Sequence, residues 1–213
     1  MQIYSPNMLK TFSECEKKYE LKYIKKINIP QPALVFEKGK KIHALANYYL
    51  RGDCIDKFLS SLSAEEYSLW QKLLNNEYFQ KTYVNSEYNL TAKLEDFWYG
   101  GRLDAFMKSG NNYFILDYKT GAIPKNPETD FQTMVYLICA ERILEKGWGK
   151  NFALSFIYID LKNDKNHLIE FTPERKLLYE DELIKTCKKI AAVQIFSKNP
   201  NRCNFCEYNK LCN

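Results

Sequence analysis

Apolar residues recur every three or four positions in five segments of the chain, a spacing that predicts amphipathic helices. The first helix is expected to begin at Ser5 and Pro6, because serine caps free backbone amides and proline fits the first helical turn. Its apolar positions continue to about Lys25, before two prolines end the pattern. The other four helices are predicted over residues 36–50, 64–75, 128–146 and 173–196.

Between residues 84 and 119 the pattern changes to a period of two, which is typical of strands with one buried face. Gly100-Gly101 is expected to break or bulge the chain, and Asn111-Asn112 to form a turn. Hairpins combined with one crossover helix predict an α/β fold, in which helices flank a mixed sheet. The strands are predicted over residues 84–94, 102–108, 113–119 and 152–161, with 167–171 available to pair with the last.

The composition is that of a globular protein with one substantial core. The chain has 213 residues, of which 46% are apolar, and it has only 8 glycines and 7 prolines, so long disordered segments are not expected. We therefore predict a single domain over residues 1–213. The net charge of +5 is compatible with a polyanionic partner, although many ordinary domains carry a similar charge.

The chain is expected to act in the cytoplasm and not in a membrane. No stretch reaches the roughly 18 consecutive apolar residues that mark a membrane span. The first residues lack the basic and then apolar layout of a signal peptide. In that compartment the seven cysteines favour metal ligation or buried thiols over disulfides.

Three charged residues around the third strand form a candidate metal and phosphate site. Asp117 and Lys119 are two positions apart, so they point to the same face of the strand, and a hairpin would bring Asp104 beside Asp117. Two adjacent carboxylates repel each other, a conflict that Mg²⁺ or Mn²⁺ would relieve. A nearby lysine could then help to activate water or stabilise charge on a phosphate. The alternative is an ordinary Asp–Lys pair at an exposed strand end.

Four further side chains are candidates on weaker grounds. The imidazole of His43 could supply a nitrogen ligand, although a lone histidine on an amphipathic helix is more often structural. Glu87 lies on the polar side of its strand. Gln132 and Tyr136 share one helical face, where they could bind substrate phosphates or bases, or simply cap the sheet. The ring of Tyr136 could also stack on single-stranded bases.

At these residues the chain resembles the PD-(D/E)XK nuclease superfamily, and within it the RecB/AddB-like branch that includes the iron–sulfur CRISPR adaptation nucleases. The internal segments that carry the resemblance are GKKIH at 39–43, GRLD at 101–104, LDYKTG at 116–121 and QxxxY at 132–136. The opening YSPNML with CEKKY, and the closing C-x2-C-x5-C, resemble the two ends of AddB-type domains. Together these segments span nearly the whole chain in the expected order.

The resemblance implies a restriction-endonuclease-like αβββαβ core over residues 83–161. It also implies that His43, Asp104 and Asp117 bind the catalytic Mg²⁺ or Mn²⁺, with help from the backbone carbonyl of Tyr118. The family often has glutamate at the second acidic position, where this chain has aspartate. Because the departure is conservative, metal binding should be preserved.

By the same resemblance, Lys119 would be the catalytic lysine. Gln132 and Tyr136 would match the motif that follows it and would lie near the substrate. Glu87 matches less securely and would be a supporting acid.

Members of this branch hold a [4Fe–4S] cluster on four cysteines, which map here to Cys15, Cys203, Cys206 and Cys212. Four thiolates satisfy such a cluster, and they would clamp the end segments 1–30 and 197–213 together. Two alternatives stay open: a structural zinc, which four cysteines also suit, and an incomplete triad in which Cys15 is a core thiol. The remaining cysteines lack suitable spacing and are expected to be buried or incidental: Cys54, Cys139 and Cys187.

These residues and the resemblance together predict a Mg²⁺- or Mn²⁺-dependent deoxyribonuclease. Exonuclease action on single-stranded DNA, or on DNA with free ends, is favoured over site-specific cutting. The setting could be CRISPR adaptation or recombination and repair, with protein partners, or phage DNA processing. The alternatives from other classes are a non-catalytic nucleic-acid-binding module with a structural metal cluster, and an iron–sulfur electron carrier.

Overall fold

The computed structural model describes residues 2–30, 37–148 and 151–212. The strands are β1 (Ile3–Tyr4), β2 (Thr82–Leu94), β3 (Phe97–Ser109), β4 (Asn112–Lys119), β5 (Ala153–Asp160) and β6 (Lys165–Glu170). The α-helices are α1 (Pro6–Glu14), α2 (Glu16–Tyr19), α3 (Glu37–Leu50), α4 (Asp56–Ser60), α5 (Ala64–Leu74), α6 (Phe131–Trp148) and α7 (Pro173–Ala192). A π-helical turn covers Glu20–Ile24, and 3-10 turns cover Pro127–Thr129, Pro200–Phe205 and Asn209–Leu211.

The strands form one mixed sheet, as predicted. Antiparallel pairing joins β2 to β3 and β3 to β4, whereas β4 and β5 are parallel and β6 returns antiparallel to β5. α6 makes the crossover between the two parallel strands. β1, which the pattern did not predict, adds two residues parallel to the start of β3, with Ile3 opposite Trp98. The order of one helix, three strands, a helix and a strand is the core that the resemblance implies.

Helices cover both faces of the sheet, so residues along β4 alternate between two apolar cores. Ile115 belongs to the core under α1, α6 and α7, whereas Leu116 and Tyr118 belong to the core under α3 and α5. Asp117 and Lys119 continue the first of these faces beyond its apolar part. The two charged side chains therefore lie on the α6 side of the sheet.

β3 runs without a break through Gly100 and Gly101, so the predicted interruption there is wrong. A Cβ atom at Gly100 would lie 2.7 Å from the carbonyl oxygen of Leu90, and one at Gly101 would lie 2.5 Å from the ring of Tyr136. The two glycines therefore allow β2 and α6 to approach β3 closely. The register shift of this hairpin lies instead near the start of β2.

The first helix is shorter than predicted. Ser5 caps it as expected and accepts a hydrogen bond from the amide of Met8 at 3.3 Å. The helix stops before Cys15, whose backbone is extended, and the amide of Lys17 donates to the carbonyl oxygen of Ser197 at 3.0 Å. A contact from the far end of the chain thus overrides the local helical pattern.

Other helix boundaries also differ from the predictions. α6 begins at Phe131 and not at residue 128, because Pro127–Thr129 form a separate 3-10 turn. α7 ends at Ala192, since Val193 is extended, and not at residue 196. α4 was not predicted, and the expected start of α3 at residue 36 lies outside the described residues. Within the part of the chain that is described, no helix is both long enough and apolar enough to cross a membrane.

Candidate active site

The predicted acids meet where β3 and β4 separate. The two strands pair as far as Ala105 and Leu116. Asp104 and Asp117 are the next residues on each strand, so they lie beside each other at the point of separation. Here the amide of Tyr118 donates to Asp104 Oδ2 at 3.2 Å instead of to a neighbouring strand.

His43 reaches the same point from α3. Its Nε2 lies 2.8 Å from the carbonyl oxygen of Tyr118, and its Nδ1 lies 3.2 Å from Asp104 Oδ1. Burial lowers the pKa of His43, but the hydrogen bond and charge of Asp104 outweigh it, so the pKa of the imidazole is raised. Nε2 is within hydrogen-bonding distance of the Tyr118 carbonyl oxygen, so it would bind a metal only as the neutral imidazole, with the remaining proton on Nδ1 toward Asp104.

Asp117 is buried and has two close partners on the α6 side of the sheet. Lys119 Nζ lies 2.8 Å from Asp117 Oδ2, and the side-chain amide of Gln132 donates to Asp117 Oδ1. Lys119 Nζ also donates to Gln132 Oε1 at 3.4 Å. Burial and the charge of Asp104 raise the pKa of Asp117 to about 6, although Lys119 acts in the opposite direction. Burial lowers the pKa of Lys119, but the Asp117 carboxylate reverses this effect and leaves it raised.

Glu87 faces the same point from β2. Ligand atoms of His43, Glu87 and Asp104 all lie within 4.8 Å of one another. The backbone of Glu87 has a φ of 48°, a left-handed conformation that is costly for a residue with a side chain. Arg102 pairs with it, with 2.8 Å between Nε and Glu87 Oε2. Glu87, the acid with the least support from the sequence, therefore lies beside His43 and Asp104, whereas Asp117 is not part of this three-residue group.

Tyr136 does not lie where it could stack on bases. Its ring is buried against Gly101 and Phe156, and its hydroxyl donates to the carbonyl oxygen of Arg102 at 2.8 Å. The expectation that this ring stacks on single-stranded DNA is therefore wrong. Of the two residues that define the QxxxY segment, only Gln132 contacts a predicted metal ligand, Asp117. Tyr136 instead packs α6 against β3.

The donor groups at this point fit a hard divalent cation. Carboxylate oxygens, a carbonyl oxygen and an imidazole nitrogen are ligands that Mg²⁺ and Mn²⁺ accept. Adjacent ligands of an octahedral Mg²⁺ lie about 3 Å apart, because each bond is about 2.1 Å long. His43 Nε2 and the carbonyl oxygen of Tyr118 have a similar separation, at 2.8 Å. Asp117 Oδ2 is buried and, beyond its ion pair with Lys119, has no well-directed hydrogen bond.

Two clefts open beside Lys119. The larger, of about 820 Å³, includes Lys40, Tyr48 and Arg102 in its wall, together with His43, Glu87 and Asp104. Asp117 is buried behind this wall. The smaller, of about 390 Å³, lies between α1 and the start of α6 and includes Lys10. Lys119 lines both clefts, and its side chain is 29% exposed.

Sequence reasoning missed two residues of the smaller cleft, Lys10 and Asp130. The amide of Gln132 donates to Asp130 Oδ1 at 2.9 Å, and Lys10 Nζ lies 2.8 Å from Asp130 Oδ2. An aspartate directly before a helix is a recognisable capping signal. The predicted helix does not use this cap, because it begins at residue 128, three residues before Phe131. No local signal predicts that Lys10, on another helix, is its partner.

The four predicted cluster cysteines line one pocket between the two ends of the chain. Cys15, Cys203, Cys206 and Cys212 surround a cavity of about 100 Å³. Among the described residues, no three of these sulfur atoms lie within 4.8 Å of one another. The four thiols therefore share one pocket without forming a compact set of metal ligands.

Polar contacts also join the two ends of the chain around this pocket. The amide of Asn199 donates to Cys15 Sγ at 3.4 Å, and its side chain donates to the carbonyl oxygen of Glu14 at 2.9 Å. The hydroxyl of Tyr208 donates to the carbonyl oxygen of Ile27 at 2.8 Å. These hydrogen bonds hold the two ends of the chain together beside the cysteines. Of the remaining thiols, two are buried and one is exposed: Cys139, Cys187 and Cys54.

Residues 3–213 match the family model of the PD-(D/E)XK nuclease superfamily. The chain therefore belongs to this superfamily of hydrolytic nucleases. Among solved structures it is similar to a candidate exonuclease of Eubacterium rectale, with a TM-score of 0.61 and 10% identity over 98% of this chain and 87% of that one. At this identity the likeness concerns the fold alone.

A second solved structure, that of SSO0001, has a TM-score of 0.45 and 14% identity over 99% of this chain and 85% of its own. This likeness is too weak to argue from. No curated protein matches the chain.

Proposed function

We propose that this chain is a metal-dependent deoxyribonuclease that hydrolyses phosphodiester bonds. The observation that carries the proposal is the meeting of His43, Asp104, Asp117 and Lys119 at the end of β4, beside an open cleft. Metal-dependent phosphodiester hydrolysis uses ligands for a cation and is assisted by a fixed positive charge near the phosphate. A chain of a nuclease superfamily that combines both is best explained as an active member.

The metal would be Mg²⁺ or Mn²⁺, held by His43, Asp104 and Asp117 with the carbonyl oxygen of Tyr118. Bound there, the cation would lower the pKa of a water molecule and offset the charge that develops on the scissile phosphate. Glu87 would be a supporting acid at the edge of the same group.

Lys119 would act on the same phosphate. Its raised pKa keeps the amine charged at neutral pH, and Asp117 and Gln132 hold the ammonium group in place. A charge that is already fixed before the reaction stabilises the transition state without the cost of rearrangement. The same group could orient the attacking water.

We infer exonuclease action on single-stranded DNA or on DNA with free ends. The larger cleft combines Lys40 and Arg102, which can contact a phosphate backbone, with Tyr48, whose side chain is 37% exposed. An exposed ring beside basic groups favours unpaired bases, which stack on aromatic side chains. The chain also shares its fold with a candidate exonuclease.

We also propose that Cys15, Cys203, Cys206 and Cys212 hold a [4Fe–4S] cluster, which would place the chain in the RecB/AddB-like iron–sulfur branch. The support is that all four cysteines line one small pocket between the two ends of the chain. The cluster would supply a covalent clamp between chain ends that hydrogen bonds already align.

The setting that we propose is DNA processing in the cytoplasm. It would be CRISPR adaptation, recombination and repair, or phage DNA processing, and the first two would involve protein partners. The net charge of +5 is compatible with a DNA substrate in each case.

The test of the nuclease is anaerobic purification followed by cleavage assays on end-labelled single-stranded and duplex DNA. Cleavage is expected with Mn²⁺ or Mg²⁺ and not with chelator. D117A and K119A should each lose about 100-fold or more of the rate. K188A is the matched control, because Lys188 is also ion-paired, with Glu95, but lies on α7. If D117A and K119A cut as fast as K188A, the site is wrong, and DNA binding without cleavage would favour a non-catalytic module.

The cluster has a separate test. The anaerobic protein should be brown and contain equal amounts of iron and sulfide, and C203S should lose both. C54S is the control, because Cys54 is exposed and lies outside the pocket. Colourless protein that binds zinc through the same cysteines would contradict the iron–sulfur assignment without affecting the nuclease proposal.

A further inference from the structure

We propose that Lys10 and Asp130 form a positioning pair for the active site, an inference that rests on the proposed nuclease function. Neither residue is one of the proposed metal ligands or the proposed catalytic lysine, Lys119. The pair acts through Gln132, which contacts both Asp117 and Lys119. Its role is to hold the start of α6 where that glutamine can reach the two charged groups.

Asp130 uses its two carboxylate oxygens for different contacts. Oδ1 accepts from the amide of Gln132 at 2.9 Å, and Oδ2 accepts from Lys10 Nζ at 2.8 Å. The backbone carbonyl of Asp130 accepts from the amide of Met134 at 3.1 Å, which begins the helix. Asp130 is therefore the N-cap of α6, and its side chain is only 11% exposed. The cap fixes the backbone from which the Gln132 side chain extends.

Lys10 brings a second fixed element to this point. Its neighbours on α1, Leu9 and Phe12, are buried in the core between the helix and the sheet. α1 also leads directly into Cys15 and the cysteine pocket. The ion pair therefore ties the start of α6 to a helix that is anchored at both ends. A cap that is itself held by an ion pair restricts the motion of Gln132 more than a cap alone.

Lys10 is 46% exposed and lines the smaller cleft, so it could instead bind a substrate phosphate. The two roles predict different kinetics. A lost phosphate contact weakens DNA binding, raises KM and reduces the dependence on salt. A lost positioning contact leaves binding intact and lowers kcat, because a small displacement of a catalytic group reduces the rate.

The test compares four variants in the same Mn²⁺-dependent cleavage assay. D130A removes both cap and ion pair and should lower kcat about 10-fold or more at nearly unchanged KM. D130N keeps a good capping side chain and should recover most of the rate. K10M should lower kcat by a smaller factor, and D130A combined with K10M should be no slower than D130A alone, because both act through one path.

T172A is the matched control. Thr172 caps α7 through a hydrogen bond from the amide of Arg175, as Asp130 caps α6, but none of the proposed active-site residues lies on α7. Its kcat should stay near that of the wild type despite a comparable loss of thermal stability. If the kcat of D130A equals that of T172A, or if D130A raises KM at unchanged kcat, the proposal is overturned.

A readout without turnover separates this inference from the proposed function. The side-chain amide resonances of Gln132 should move in D117N, which identifies the contact, and also in D130A, but not in T172A. Wild-type protein that cuts no DNA would refute the proposed function, yet these resonances would still decide whether the pair positions Gln132. Resonances in D130A that match the wild type would overturn it.

Discussion

Replacing Asp117 by asparagine should make the metal-free protein more stable at neutral pH. Burial and the charge of Asp104 raise the pKa of Asp117 from 3.8 to about 6 in the folded protein. Between these two values the folded state keeps a proton that the unfolded state has lost. The stability linked to this proton is fully present below pH 3.8 and is lost as the pH rises through about 6. Asparagine carries no charge, so the variant avoids the loss.

The magnitude follows from the size of the shift. A pKa difference of about two units corresponds to about 3 kcal/mol of unfolding free energy. This value already includes the favourable effect of Lys119, which opposes the shift. D117N should therefore increase the free energy of unfolding by about 1–3 kcal/mol at pH 7.5. The gain should shrink steadily as the pH falls toward 4.

The assay is urea denaturation of both proteins in chelator over a pH series. D96N is the control, because Asp96 is exposed in the turn between β2 and β3 and should show no such trend. The variant also changes the electric field at His43, so the trend with pH is the readout and not a single value. D117N that is less stable than the wild type at pH 7.5 would refute the reasoning. Saturating Mn²⁺ should narrow the difference between the two proteins, since about 2.7 kcal/mol is gained at 100 times the Kd and the variant binds less metal.

Three further changes test other parts of the molecule. G101A should destabilise the fold by about 1–3 kcal/mol in urea denaturation, because its Cβ would lie 2.5 Å from the Tyr136 ring. The control is G147A, whose Cβ meets open space on α6, so it should be neutral or slightly stabilising. S63A removes the capping box of α5 and should cost about 1 kcal/mol with no change in cleavage rate; a slower rate would show that α5 supports the site. H43A should weaken Mn²⁺ binding at least about 10-fold by calorimetry, and equal affinity would remove this histidine from the ligand set.

The sheet and the acid–lysine group could be predicted because both depend on local period. Two positions along a strand return a side chain to the same face, which places Asp117 and Lys119 together on any strand. The short turn before β4 then decides which residue of β3 lies opposite. The position of Asp104 follows from that register alone. The relative positions of Asp104, Asp117 and Lys119 can therefore be predicted from residues 104–119 alone.

Some of the predictions that failed are those in which a distant segment decides the local structure. The amide of Lys17 bonds to Ser197, at the other end of the chain, so no helical pattern near Cys15 could have shown the break. Gly101 is read locally as a strand breaker, but its role is to admit the ring of Tyr136. The same contact removes that ring from the substrate surface. Close packing between elements, and not propensity, explains each of these differences.

The backbone of Tyr118 explains why the site forms at this position. Groups along a strand alternate in direction, and the carbonyl oxygen of Lys119 accepts from the amide of Leu161 beyond β5, so the amide and carbonyl of Tyr118 point toward β3. β3 has turned away there, and buried backbone groups without partners are costly. Asp104 accepts from the Tyr118 amide, and His43 contacts its carbonyl oxygen. β3 and β4 separate here, which opens the cleft and leaves the amide and carbonyl of Tyr118 without strand partners. Asp104 and His43 supply the missing contacts. A cation bound to the same carbonyl oxygen would supply such a contact as well, so the end of the strand pairing and the proposed metal site are one feature of the fold.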